Sequence, residues 1–324
     1  MKELVVVSGK GGAGKTSVLA ALASVAGPCV LADCDVDAAD LHLIFQPQVI
    51  HREDFTGGQK ARIMPDYCTA CGKCEELCRF DAIWFDGPGN GRVPQTFRVD
   101  ATACEGCGVC VDYCAENAID FSPALCGQWF VSETRCGPMV HAKLGIGAAN
   151  SGKLVTQVRR AAQETAHRQA LDLILCDGPP GIGCPVIASL TGASLALFVV
   201  EPTVSGLHDF GRVAQLAARL NVPGLLAVNK ADLNDNLTRD LEAMAVDQGI
   251  VLAGRIPYDR DVTRAQMAGK ALLEVSNGPA ARGIRQVWSI VQEQLRAGAA
   301  SQTSGLIQIG NSRNKPISCD HEHV

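Results

Sequence analysis

No stretch of this 324-residue chain approaches the roughly 18 consecutive apolar residues that a membrane span needs. The opening MKELVVVSGKGG has an apolar run too short for the core of a secretory signal, and it breaks at once into glycines. An excess of positive charge is also missing. Twenty-nine Lys and Arg face 34 Asp and Glu, a net charge of −5, which argues against a nucleic-acid surface as the main business. A cytoplasmic chain is expected, with no membrane span and no nucleic-acid partner. Hydrophobic residues (47%), 33 glycines and 15 cysteines are what the chain has in quantity. Eight of the cysteines stand in two combs of identical spacing, a pattern that in a cytoplasmic chain reads as metal ligation, not disulfides.

Short apolar runs recur at Leu4–Ser8, Cys29–Asp33, Leu171–Asp177, Leu195–Glu201, Leu225–Asn229 and Val251–Ile256. Runs of this length suit strands buried on both faces of a parallel sheet. Helix candidates lie between them at about 15–26, 151–169, 184–192, 204–219, 236–248 and 278–296. The alternation predicts an α/β fold with a mostly parallel, doubly wound sheet. From about 54 to 124 it stops, and cysteine, glycine and short loops take over. CRFDAI (78–83) and CAENAI (114–119) align at a period of 36, which suits a pseudo-twofold module. The expected organisation is one discontinuous domain, 1–53 and 125–298, with 54–124 as a small α+β insertion. The polar stretch 299–324 is expected to be a disordered tail, its Cys319, His321 and His323 being either a soft-metal site or ordinary end residues. Cys29, Cys34 and Cys176 read as small core residues, and Cys126 and Cys136 as flanking a hairpin, GQWFVSETR.

Gly9-Lys10-Gly11-Gly12-Ala13-Gly14-Lys15-Thr16 satisfies G-x-x-x-x-G-K-[ST] between a predicted strand and a predicted helix, with Ser17 next on that helix. Glycines let backbone N–H groups turn inward on phosphates, and the helix N-terminus adds its positive dipole end. Lys15 is expected to reach the β/γ oxygens, and Thr16 to hold Mg²⁺. The second lysine, Lys10, makes this loop resemble the deviant P-loop of the MinD/ParA and nitrogenase iron-protein class. The resemblance implies that Lys10 reaches across a dimer interface to the partner's nucleotide. It also implies that Asp35, in ADCD, positions the attacking water, with strand-end turn chemistry as the plainer role. Asp177, in LILCDGPPG, would touch Mg²⁺ through water, and Gly178–Gly181 would sense the γ-phosphate. Asn229 would contact adenine, and Pro257 would lie near the base. NKAD also fits the N-K-x-D pattern that reads guanine; the MinD-like switches favour ATP.

Each comb reads C-x2-C-x2-C-x3-C, a spacing that lets three thiolates wrap one cubane and turns the fourth towards the other. Cys68, Cys71, Cys74 and Cys114 are thus expected to bind one [4Fe–4S] cluster, and Cys104, Cys107, Cys110 and Cys78 a second. Zinc is the alternative, but it needs only two CxxC pairs per site. The block resembles a bacterial two-cluster ferredoxin, except that Arg79 and Ala115 follow the fourth cysteines where proline is usual. Cys184 stands seven residues after Asp177, an offset at which nitrogenase-type iron proteins carry a cluster cysteine. Their second cluster cysteine has no counterpart at 150–153, and a late CxxC of scaffold type is missing too, so Cys184 reads as structural.

Residues 1 to about 298 are similar to MinD-superfamily P-loop ATPases with an inserted ferredoxin domain. NSGKLV (150–155), DGPPGIGCPVIAS (177–189), EPTVSGLHD (201–209) and IPYD (256–259) carry the likeness. It implies an ATP-binding and hydrolysing protein that couples nucleotide state to electron transfer through two [4Fe–4S] clusters. A redox or metal-centre partner protein is implied, with a nucleotide-dependent homodimer or a heterodimer with a paralogue. The alternatives are an ATP-dependent assembly or carrier factor for iron–sulfur or other metal centres, and a MinD-like spatial organiser. Complete cysteine sets favour permanent clusters, since a transferred cluster needs a labile site.

Overall fold

The apolar runs become strands whose alternate residues enter two different cores. The computed structural model describes residues 1–145 and 152–307, with backbone only for 298–307. The first half holds β1 (Lys2–Ser8), α1 (Lys15–Ala23), β2 (Val30–Asp33), α2 (Leu41–Phe45) and β3 (Gln48–Ile63). The cysteine block follows with α3 (Lys73–Leu77), β4 (Ile83–Gly87), β5 (Thr96–Val99) and α4 (Val109–Asp112). The chain returns through β6 (Ile119–Thr134) and β7 (Gly137–Leu144) to α5 (Lys153–Gln169), β8 (Leu173–Pro180) and α6 (Cys184–Leu190). It ends with β9 (Leu195–Val200), α7 (Val204–Arg219), β10 (Gly224–Asn229), α8 (Asp235–Asp247), β11 (Val251–Ile256), α9 (Arg260–Met267), α10 (Leu272–Val275) and α11 (Pro279–Ile307).

The main sheet has the order β11-β10-β9-β1-β8-β2-β7-β6-β3. It is parallel from β11 to β7, while β6 and β3 join antiparallel. This is the P-loop α/β architecture with a large, mostly parallel sheet. Val5, Val7, Val30, Ala32 and Phe198 pack under α5, α6, α7 and α8. Leu4, Val6, Leu31, Leu175 and Leu197 pack against α1, α2, α10 and α11 on the other face. Period-two alternation with apolar residues on both faces is why these strands read as continuous runs. Beneath β1, the Arg159 guanidinium donates to both Glu3 oxygens at 2.6 and 2.8 Å and to the carbonyls of Ala188 and Thr191. This buried fork ties α5 and α6 to the central strands.

β3 and β6 pair from Gln48↔Glu133 to Ile63↔Ile119; past Gly127, where β7 no longer pairs with β6, they form a two-stranded ribbon whose far end enters a third, separate core. That core gathers Ile63, Ala82, Ile83, Phe97 and Ile119 around Cys68 and Cys104. The 36-residue repeat is visible in the backbone: the left-handed residues pair as Ala70 with Gly106, Gly72 with Gly108, and Asp81 with Asn117. Ile83↔Val99 in the β4–β5 pair repeats Ile63↔Ile119.

Two expectations are corrected. Residues 127–135 are not a hairpin between Cys126 and Cys136: β6 runs through to Thr134 and the turn falls at Arg135–Cys136, where Arg135 is held by Glu274 and the Ile44 carbonyl. Loops do not fill the whole stretch from 54, because regular strand continues to Ile63 and resumes at Ile119. α11 continues past 298 to Ile307. Cys319, His321 and His323, like Asn150 and Ser151, lie outside the described residues. Among the described residues no helix is long and apolar enough to cross a membrane.

Candidate functional site

The loop from Ser8 to Lys15 turns at Gly12 (φ +80°) and Gly14 (φ +90°), where a side chain would be strained. A Cβ on Gly14 would also fall 2.4 Å from Asn229 Nδ2. That nitrogen donates to the Ala13 carbonyl at 2.8 Å, so the end of β10 braces the loop. The N-terminus of α1 then presents Lys15 and Thr16 to two acidic strand ends. Lys15 Nζ lies 3.6 Å from Asp35 Oδ2, with both side chains buried. Thr16 Oγ1 donates to Asp177 Oδ2 at 2.5 Å. Among the described residues Asp177 Oδ1 is buried without a hydrogen-bond partner.

Asp33 and Asp177 are register partners on β2 and β8, and both are fully buried. Asp33 accepts from the N–H groups of Asp35 and Leu41, which fixes the start of the following segment. So many carboxylates around one lysine are costly in a low dielectric. Burial pushes Asp177 up to about 7, with Asp35 and Asp40 adding to the rise and Lys15 and Thr16 opposing it. Burial likewise raises Asp33 well above the usual range, aided by Asp177, and raises Asp35 against the pull of Lys15. The arrangement suits a divalent cation and a phosphate chain, which would supply the missing positive charge and partners.

Lys15, Thr16 and Asp35 open onto a cavity of about 540 Å³, within the range of nucleotide-sized sites, while Asp33 and Asp177 are fully buried and do not line it. Gly11, Gly12, Gly14, Lys15, Thr16, Ser17, Asp35, Asn229 and Pro257 line it. Gly9, Lys10 and Ala13 do not: Gly9 packs against Asp209, and Lys10 Nζ donates to Thr203 Oγ1 and Ser205 Oγ, both at 3.2 Å, near Glu201. One wall went unread in the sequence. Val262, Thr263 and Gln266 of α9 line the cavity, and Gln266 Nε2 donates to Ser17 Oγ at 2.7 Å. The signal was weak because α9 is a short polar helix whose only well-buried residue is Ala265.

In the cysteine block, Cys68, Cys71, Cys74 and Cys114 line one cavity of about 100 Å³. Cys78, Cys104, Cys107 and Cys110 line a second, tighter one of about 20 Å³. Each cavity takes three cysteines from one comb and the last from the other. Burial, with the neighbouring thiols adding, pushes Cys74 and Cys110 each up to about 11, so these sulfurs stay protonated unless a cation lies against them. The Ala118 N–H donates to Cys114 Sγ at 3.3 Å. Among the described residues no three His, Cys, Asp or Glu side chains are grouped to hold a metal ion. Cys29, Cys34 and Cys176 are fully buried core residues, and Cys184 is exposed at the start of α6.

A family model described as the CobQ/CobB/MinD/ParA nucleotide binding domain matches residues 4–273. An uncharacterized protein of Methanocaldococcus jannaschii is 31% identical over 301 residues, spanning 90% of this chain and 96% of its own. An iron-sulfur cluster carrier protein of Pyrococcus abyssi is 24% identical over 150 residues, 42% of this chain and 50% of that protein. The fold is similar to the septum site-determining protein MinD of Pyrococcus horikoshii, solved with Mg-ADP (TM-score 0.52, 16% identity, 90% of this chain and 95% of that one).

Proposed function

The chain belongs to the CobQ/CobB/MinD/ParA nucleotide-binding family of P-loop ATPases, and on that premise we propose that it couples its nucleotide state to electron transfer through two [4Fe–4S] clusters. The observation that carries this is the crossed division of eight cysteines between two cavities. The block they occupy, about 54–124, is taken as a module inserted in an ATPase domain formed by 1–53 and 125–298.

ATP is the expected nucleotide. Lys15 and the inward N–H groups of Gly11–Thr16 would hold its phosphates, and Asn229 would keep the loop in shape by bracing Ala13. Asp35 would orient the attacking water once Lys15 turns to the phosphates. Magnesium, when bound, would neutralise phosphate charge; Thr16 and Asp177 are the residues to hold it. The unpartnered Asp177 Oδ1 fits that role. Lys10 would have to leave Thr203 and Ser205 to meet a second copy's nucleotide, in the nucleotide-dependent homodimer or paralogue heterodimer expected of this class.

The fit to iron is in the donors: four thiols per cavity and an amide aimed at one sulfur. A cluster, when bound, would supply one-electron chemistry. The ribbon β3–β6 joins this block to the sheet, and β3 starts just after the Asp35–Asp40 segment and α2. Changes at Lys15 and Asp35 thus have a continuous path of backbone to the cysteines.

A second reading, an ATP-dependent iron–sulfur carrier or assembly factor, is favoured by the likeness to the Pyrococcus abyssi carrier protein. Anaerobic purification with iron and sulfide determination tests the first: about eight of each per chain are expected. Zinc, or no metal, would overturn it. Incubation with an acceptor protein lacking its own [4Fe–4S] cluster separates the two. Iron retained with and without MgATP supports the redox role; ATP-dependent loss to the acceptor supports the carrier.

A further inference from the structure

The two cysteine sets are related by a 36-residue repeat, so each residue near one has a counterpart near the other. Gln59 and Lys60, on β3, pack on the loop Cys104–Gly106. A Cβ on Gly106 would come within 2.1 Å of the Gln59 carbonyl, and Lys60 Nζ donates to the Cys104 carbonyl. Among the described residues Lys60 makes no ion pair with a carboxylate. Its repeat counterpart is Thr96: Lys60 lies three residues before Ile63, and Thr96 three before Val99, the matching members of the two strand pairs. Thr96 is neutral and fully buried, with its hydroxyl donated to the Pro88 carbonyl at 2.6 Å. The cation on the wall of the first cavity, Lys73, is ion-paired with Glu76 at 3.1 Å. Each cavity wall also carries a carboxylate, Glu116 in the first and Glu105 in the second, so these do not distinguish the two. Residues 64–118 hold nine carboxylates against four Lys and Arg, a net −5 equal to that of the whole chain. Into that negative surround, Lys60 brings a positive charge from outside, and to one set only.

We propose that Lys60 makes the two centres unequal by favouring the reduced form of the one held by Cys104, Cys107, Cys110 and Cys78. This rests on the assignment of both sets to [4Fe–4S] clusters. Each centre takes one electron from a low-potential donor, and no bond is made or broken. Reduction adds negative charge, and a fixed cation next to a ligand's carbonyl stabilises that charge, which raises the potential. Lys60 is a positioning residue, since its ammonium meets backbone and not sulfur. It stands on β3, the strand that leads back through α2 to Asp35.

The test is a mediated redox titration, read by EPR, of the anaerobic full-length protein carrying both clusters, alongside Lys60→Met and Lys60→Arg. In Lys60→Met one reduction wave moves to lower potential and the other stays; Lys60→Arg restores the original position. A companion Cys71→Ala protein, in which the second set is the intact one, assigns the wave that moves. Waves that stay put in Lys60→Met, move together, or shift as much in Lys60→Arg overturn the role of Lys60. Iron and sulfide are measured first. About eight of each per chain with no shift defeats Lys60 alone, whereas a chain without iron defeats the cluster assignment beneath it.

Discussion

Thr16 Oγ1 donates a 2.5 Å hydrogen bond to Asp177 Oδ2, which fastens the start of α1 to β8 and leaves Asp177 Oδ1 buried with no partner among the described residues. A carboxylate so placed costs stability that a cation and a phosphate chain give back. The Asp177→Asn protein should therefore hydrolyse ATP about 10²–10³-fold more slowly, as expected when a preorganised charge at the reacting phosphates is removed. Phosphate release under saturating MgATP checks this.

The same substitution should act in the opposite sense on the nucleotide-free fold. With one fewer buried charge beside Asp33 and Asp35, Asp177→Asn should melt at a higher temperature than wild type near neutral pH. Added MgATP should raise the melting temperature of wild type by more than that of the variant. Equal gains from MgATP in both proteins would remove Asp177 from the site.

The crossing of the cysteine sets predicts which losses go together. Cys114→Ala should remove the same centre as Cys71→Ala, and Cys78→Ala the same centre as Cys107→Ala, although Cys78 belongs to the first comb. Iron should fall from about eight to about four per chain in each, and the surviving EPR signal should match within each pair. If Cys114 instead grouped with Cys107, the sets would be uncrossed.

His141 carries a pH dependence away from both sites. Its Nε2 lies 2.9 Å from Ser132 Oγ, and its ring stacks on Phe130 at 5.0 Å. Burial, with His42 adding, pushes its pKa down to about 4 from the ordinary 6.5. The unfolded chain takes up this proton first. The stability due to neutral His141 is thus complete above pH ~6.5 and is lost as the pH falls towards 4. Because the ring is partly exposed, the loss should be about 1–2 kcal/mol after solvent screening. Denaturant unfolding of wild type and His141→Gln from pH 8 to 4 should show the slope flattened in the variant.

Much of this was legible in the residues. Leu4–Ser8 and its fellow runs announced strands covered on both faces, because Val5 and Val7 enter one core while Leu4 and Val6 enter another. The P-loop was legible because its glycines, Lys15 and Thr16 are contiguous. β3 was not. HREDFTGGQK exposes most of its side chains, so the strand has no apolar alternation and is held by pairing with β6. The same limit hid α9 and the contact of Gln266 with Ser17, 249 residues away. The bracing of Ala13 by Asn229 was also out of reach, since it depends on how the end of β10 meets a loop 216 residues earlier.

The central claim is that nucleotide state reaches the cysteine block. We would titrate the clusters of anaerobic protein by EPR without nucleotide, with MgADP and with MgATP, using Lys15→Ala as the control. A nucleotide-dependent change in potential or in cluster–cluster coupling, present in wild type and lost in Lys15→Ala, is the predicted result. Superimposable titrations in all three states would contradict it.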